Sequence, residues 1–367
     1  MYAPEVAEAV FMRNKWQNLL DWYDASGRDL PWRHYSDPYA VWISEVMLQQ
    51  TQVSAVVPYF ERWMGRFPDV EALASANEQD VLTLLQGLGY YRRCRMVLNG
   101  ARWIRLNGMP ATREGWLRVP GVGPYTASAI SSIAFGEPAG VVDGNVERVF
   151  ARLTGCRESG PELLSLAREW ADHNVSRERP GDWNQAVMEL GATLCTARLP
   201  QCAKCPLASR CVAKQSFTVG ELPVRSPSAK TVHLHFTVWV PYCDGEFGLR
   251  QIADGQWSGG LWEFPKIEQN RSLEESEGES LELRSTVGAG WLESLGQITH
   301  SVTHHRIHLD LWLVRVNGKA NWLRWASLAE TPTIPMPSAQ RKILAKAARA
   351  LGMISRPKSA YEKVMRT

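Results

Sequence analysis

The sequence predicts a multi-domain chain, all-α in its first part and α+β in its second. Residues 1–220 repeat apolar side chains at helical spacing, and residues 231–353 alternate them at strand spacing. Between the two, ELPVRSPSAK (221–230) has the proline, serine and charge of a linker. At 367 residues the chain is too long for one ordinary core, so two or three domains are expected. Its apolar share of 45% suits a soluble globular protein, and no apolar run reaches the ~18 residues that a membrane span requires. Most of the sixteen tryptophans are expected in the core.

In chain order, the helical stretches are VAEAVFMRNKWQNLLDWYDAS, PYAVWISEVMLQQTQVSAVVPYFERWMGRF, DVLTLLQGL, RRCRMVLNGARWIRLN, YTASAISSIAF, NVERVFARLTG and WNQAVMELGATLC. Pro38 after Asp37 marks one helix start, and Gly108 with Pro110 marks a helix end. From Thr231, TVHLHFTVWVPYCDGEFGLRQI and THHRIHLDLWLVRVNGKANWLRW are rich in β-branched and aromatic residues and contain a DG and an NG turn signal. EQNRSLEESEGESLE (268–282) reads as a surface helix or loop, and residues 354–367 as a basic tail.

The opening MYAPEVAEAVFMRNKW lacks the layout of a secretory signal, so an intracellular setting is expected, cytoplasmic and nucleoid-associated if the source is bacterial. Net charge is +3 and the pI is near 8.4. Residues 1–220 carry 23 Lys and Arg against 23 Asp and Glu, so any nucleic-acid footprint must be local.

Residues 195–211, CTARLPQCAKCPLASRC, hold four of the seven cysteines. In a reducing compartment such a cluster is a set of thiolate ligands rather than disulfides. Zinc sites pair their ligands as two short knuckles, whereas here one C-x-x-C is flanked by single cysteines; a [4Fe-4S] cluster on Cys195, Cys202, Cys205 and Cys211 fits better, with zinc as the alternative. Cys94, Cys156 and Cys243 read as small buried hydrophobes. A second motif, RVPGVGPYTASAI (118–130), sets Gly121 and Gly123 around a hydrophobe between two helices. That arrangement lets backbone approach a ligand and aims helix N-terminal amides at a phosphate, as in a helix-hairpin-helix DNA-binding element; a plain glycine-rich connection is the bland alternative.

LPWRHYSDPYAVWISEVMLQQTQV, QGLGYYRR, VPGVGPYT, VVDGNVERV and the cysteine loop together resemble the endonuclease III superfamily of DNA glycosylases, and within it the adenine-excising MutY branch. The resemblance is continuous over residues 15–215. It implies an all-α helix-hairpin-helix glycosylase domain with an iron-sulfur loop.

Breaking the bond from a sugar to a purine requires a proton on the leaving base and negative charge near the oxocarbenium sugar, which two carboxylates in different surroundings can supply. Glu45 lies within the apolar WISEVMLQQ, where burial would raise its pKa; its alternative is a solvent-facing helix position. Asp143 in VVDGN is the second candidate and also a natural helix N-cap, a role that leaves one of its oxygens free. By resemblance, Glu45 protonates the adenine and Asp143 stabilises or captures the sugar cation.

Bifunctional relatives carry a lysine where this chain has Tyr125, and tyrosine cannot form their Schiff base, so a monofunctional enzyme is implied. Tyr125 and Asn145 match positions that hydrogen-bond around the carboxylates, although a core tyrosine is the alternative for Tyr125. The resemblance also places Gln49 and Gln50 near the gap left by the flipped base and Tyr90 beside the opposite purine. It assigns adenine recognition to Arg33, Leu48 and Gln185, the last being otherwise an exposed helix glutamine. Arg92, Arg93 and Arg95 read as a local basic patch with aromatic neighbours that fits phosphate contact, with packing as the alternative for Tyr91.

The second part, through WSGGLWEFPKIE (257–268), resembles the Nudix-like module with which such enzymes read 8-oxoguanine opposite adenine. No R-E-x-x-E-E helix follows the glycines, so pyrophosphohydrolase activity is not expected. Where the family reads the lesion with Phe-Ser-His, this chain has Val302, Thr303 and His304, which keeps a hydroxyl and loses a ring. The resulting expectation is a monomeric adenine glycosylase acting on double-stranded DNA with A opposite 8-oxoguanine or G. The alternatives are a thymine·guanine mismatch glycosylase of the same superfamily and a non-catalytic iron-sulfur DNA-binding protein.

Overall fold

The computed structural model describes residues 15–49, 51–85, 88, 91–224, 230–253, 255–269 and 291–354, without the side chains of Tyr91, Arg92 and Trp291. Gln50, Tyr90, linker positions 225–229, most of the polar stretch (270–282) and the tail beyond 354 lie outside the described residues. The chain divides into two compact units, 1–78 with 93–228 and 79–92 with 229–367. Residues 79–92 therefore group with the second unit although they lie within the helical stretch of sequence.

The first unit is helical. Its elements are α1 (Gln17–Ser26), α2 (Pro38–Leu48), α3 (Val53–Arg66), α4 (Val70–Ala74), α5 (Glu78–Leu84) and α6 (Tyr91–Asn107), the latter two crossing the division between units. They are followed by α7 (Arg113–Trp116), α8 (Pro124–Phe135), α9 (Gly144–Thr154), α10 (Gly160–Asn174), α11 (Pro180–Thr193) and α12 (Val212–Gln215). Pro38 opens α2, and the Asp37 side chain accepts from the Tyr39 amide at 3.3 Å. Every residue of α2 from Tyr39 to Met47 is buried, including Ser44 and Glu45 among its apolar side chains. It packs on α8, while α11 packs on α1, α8 and α9.

Trp16 meets Trp170 and Trp183 edge-on at centroid separations of 5.8 and 5.5 Å, an arrangement aromatic quadrupoles favour. Tyr39 donates to the Phe67 carbonyl and accepts from Trp63 Nε1 in a second buried aromatic group. Trp257 and Trp322, by contrast, stand exposed.

The second unit is a mixed sheet of β1 (Val232–Cys243), β2 (Glu246–Gln251), β3 (Trp262–Glu263), β4 (Lys266–Glu268), β5 (Trp291–Val302), β6 (His305–Arg315) and β7 (Arg324–Ser327), with α13 (Ser338–Ala350) packed on β5. Its order is β3-β2-β1-β6-β5, with β4 on β1 and β7 on β2. β1 and β6 pair in parallel from Val232↔His305 to Tyr242↔Arg315. Asp244 and Gly245, at φ +49° and +86°, make the tight turn that the DG signal predicts between β1 and β2. Val238, Val240, Phe247, Leu309, Leu311, Ile343 and Ala347 belong to the core on the face that α13 covers.

Candidate active site

The first unit holds a cavity of about 200 Å³ lined by the turn Pro31–His34, the inner face of α2, the start of α8, the start of α9 and one face of α11. Because α2 is buried throughout, Glu45 is carried inside with it and is only 6% exposed. The Tyr125 hydroxyl, from the first turn of α8, donates to Glu45 Oε2 at 2.7 Å and lies 3.5 Å from Met188 Sδ. Burial pushes the Glu45 carboxyl up to about 7; the Tyr125 hydrogen bond and the Arg33 charge oppose that rise, and the Asp143 charge adds to it. Burial, reinforced by the charges of Glu45 and Asp143, holds Tyr125 well above the usual phenol range, so it is a neutral donor.

Asp143 lines the same cavity and caps α9. Its Oδ1 accepts from the Asn145 and Val146 amides at 2.9 and 2.8 Å, and its Oδ2 accepts from Asn145 Nδ2 at 2.8 Å. The expected free oxygen is therefore occupied, because Asn145 folds its own side chain back onto the cap. Gly191 lets α11 approach closely here, since a Cβ at that position would meet Asn145 Cβ at 2.6 Å.

Arg33, Leu48 and Gln185 also line the cavity. The Arg33 guanidinium donates to the Arg28 carbonyl at 2.7 Å and to Glu189 Oε2 at 2.9 Å. Glu189, 1% exposed, further accepts from Arg28 Nε and Nη2 at 2.6 and 2.9 Å. Burial raises the Glu189 carboxyl, but the Arg28 hydrogen bond and the Arg33 charge outweigh it and hold the group below its ordinary value. Arg28, Met188 and Glu189 escaped the sequence reading; the available signal was that Glu189 follows Gln185 by one helical turn and so shares its face.

Gln49 does not line the cavity; its Nε2 reaches Thr126 Oγ1 at 3.3 Å. Gln50 and Tyr90 lie outside the described residues. In the basic patch, the Arg92 side chain lies outside the described residues, and Arg93 and Arg95 each have partners within the chain. Arg93 turns inward, where Nη1 donates to the Val46 and Gln49 carbonyls at 3.2 and 2.7 Å and closes the end of α2. Arg95 is ion-paired with Glu78. In the hairpin, Gly121 takes φ +83° and a Cβ there would meet Met96 Cβ at 2.5 Å, whereas a Cβ on Gly123 would meet nothing within 4 Å. Gly121 is thus required by packing, and Gly123 leaves open approach at the start of α8.

Cys195 follows α11, Cys202 and Cys205 bracket a short turn, and Cys211 precedes α12. All four are half-buried free thiols. Arg152, 2% exposed, donates to Cys195 Sγ at 3.4 Å and to the Thr196 carbonyl at 2.7 Å, while the Cys211 thiol faces the Arg152 carbonyl at 3.3 Å. Arg148, one turn earlier on α9, donates to the Cys195 carbonyl, the Gly191 carbonyl and Asn145 Oδ1, each at 2.8 Å. Burial, with the neighbouring cysteines adding to it, pushes the Cys205 thiol up to about 11. Among the described residues no three His, Cys, Asp or Glu side chains gather tightly enough for a single metal ion. In the second unit, Thr303 and His304 form the exposed turn between β5 and β6, and Val302 packs partly onto the core.

Residues 43–172 match the model of the HhH-GPD superfamily of base excision DNA repair proteins, and residues 237–346 match a NUDIX domain. A Homo sapiens protein named adenine DNA glycosylase is 34% identical over 92% of this chain and 74% of its own length. An Arabidopsis thaliana protein of that name is 35% identical over 85% of this chain, which spans 59% of the relative's length. The structure of a thermostable thymine-DNA glycosylase superposes with a TM-score of 0.50 at 26% identity, covering 56% of this chain and 97% of that one. The chain belongs to the adenine DNA glycosylase family, within the HhH-GPD superfamily of base excision DNA repair proteins.

Proposed function

We propose that this chain excises adenine mispaired with 8-oxoguanine or guanine from duplex DNA and leaves an abasic site. The hydrogen bond from Tyr125 to the buried Glu45, in a cavity that Asp143 also lines, carries the reading. An adenine flipped from the stack enters that cavity, with Leu48, Gln185 and the Arg33–Glu189 pair around it. Glu45 gives its proton to a ring nitrogen of the base as the glycosidic bond breaks and the bonding electrons leave with adenine. Asp143, fixed by three donors, faces the cationic sugar as an anion. Water adds to the sugar carbon and releases the proton that restores Glu45. Tyr125 offers no amine for an imine, so strand cleavage is not part of the cycle.

The hairpin Val302–Thr303–His304 reads the base opposite, in a monomeric intracellular protein. Cys195, Cys202, Cys205 and Cys211 would hold a [4Fe-4S] cluster by thiolate ligation. Four half-buried thiols on one loop, with the buried Arg152 guanidinium beside Cys195, fit that anionic group. When bound, it braces the loop beyond α11.

Single-turnover assays on duplexes pairing A or T with 8-oxoguanine or G test the proposal. Adenine release with strand breaks only after alkali is expected; release of thymine alone, or of no base, overturns it.

A further inference from the structure

At one end of the second unit's sheet, β5 returns into β6 through Thr303 and His304, with Val302 paired to His305. Thr303 holds φ +52°, a conformation that β-branched residues rarely adopt. Beside this turn three rings follow one another: Trp257 meets His305 edge-on at 4.7 Å between centroids, and His305 meets His304 at 4.0 Å. Val232, His305 and Val302 form one cross-strand row, and Val232 is 40% exposed. Trp257 itself is 51% exposed.

A half-exposed tryptophan is unremarkable alone. This one is held out on a pinned loop, with Gly260 N bonded to the Ile252 carbonyl at 2.8 Å and Leu261 N to the Ser258 carbonyl at 3.1 Å. Lys230, two residues before Val232, is basic and exposed. An accessible indole on a hydrogen-bonded loop, a neighbouring ring series and a nearby cation together make a platform for a nucleobase of a polyanionic strand.

We propose that Trp257 is a nucleobase-stacking residue of the second unit, supplying affinity for duplex DNA without choosing between 8-oxoguanine and guanine. The inference rests on the reading of this chain as a DNA glycosylase. Every base has a π-face, so stacking gains affinity without sequence preference, and discrimination is left to the hairpin turn.

The test uses the full-length protein and fluorescence anisotropy, with duplexes pairing 8-oxoguanine or G with a non-hydrolysable adenosine analogue. Trp257→Leu keeps apolar cover over His305 and removes the π-face. It is expected to weaken binding roughly tenfold on both duplexes, with Trp257→Phe within about threefold of wild type. Thermal melting shows whether each variant folds; if the Leu variant does not, Trp257→Met takes its place with the same expectation. Binding of the folded aliphatic variant within twofold of wild type overturns the proposal. So does a loss confined to one duplex, or a Phe variant as weak as the aliphatic one. Excision by wild type tests the functional reading separately, since the binding ratio is readable even if no base is released. Failure of wild type to bind either duplex overturns both.

Discussion

The Tyr125 hydroxyl stands 2.7 Å from Glu45 Oε2, so a neutral phenol holds a carboxyl whose pKa burial has pushed up to about 7. Glu45 is then mostly protonated below pH 7 and loses its proton above it. Single-turnover excision is expected to fall as pH rises through about 7. Glu45→Gln should reduce excision roughly 10²–10⁴-fold and flatten that limb. Wild-type excision unchanged between pH 6 and 9 would contradict the assignment.

The same group makes stability depend on pH. Its folded pKa is above the unfolded one, so its contribution is full below the ordinary carboxyl range and is lost as pH rises through about 7. Glu45→Gln removes that loss. The variant should outlast wild type in thermal melting at pH 8, by an amount on the order of 3 kcal/mol, with the gap closing toward pH 5. Parallel melting curves at both pH values would argue against a buried titrating acid.

Arg148 joins Asn145 Oδ1 to the carbonyls of Gly191 and Cys195. Arg148→Gln leaves those acceptors short of donors, which costs about 1–3 kcal/mol for a buried group. Asn145 then no longer fixes Asp143, and excision should fall about tenfold or more while affinity for an uncleaved duplex changes little. Equal loss in rate and affinity would indicate general unfolding instead.

Thr303→Gly relieves the positive φ at the β5–β6 turn. It should stabilise the second unit by roughly 0.5–1 kcal/mol and, by removing the hydroxyl, shrink the preference for 8-oxoguanine over guanine that the proposed function entails. Denaturant melting and a pair of excision rates check the two halves independently.

Much of this architecture was legible because its signals are local. Asp37–Pro38 names a helix start, Asp244–Gly245 a tight turn, and an apolar α2 with one carboxylate a buried acid. What was not legible depends on where long side chains go. Arg93 and Arg95 look like a phosphate patch in one dimension, yet one closes α2 and the other pairs with Glu78. Arg28, Arg33 and Glu189 meet across more than 150 residues of sequence, which no spacing rule encodes. The occupied oxygen of Asp143 follows from a rotamer of Asn145.

Among the described residues, those that line the cavity fall between Arg28 and Ala192, whereas the Val302–Thr303–His304 turn belongs to the other unit. On the proposed function, barrier height and choice of opposite base are therefore written in separate stretches of the gene. Drift at the turn would then retune which mispairs are repaired while Glu45, Tyr125 and Asp143 stay untouched. Such drift would surface as an altered spectrum of mutations in the genome, not as a slower enzyme.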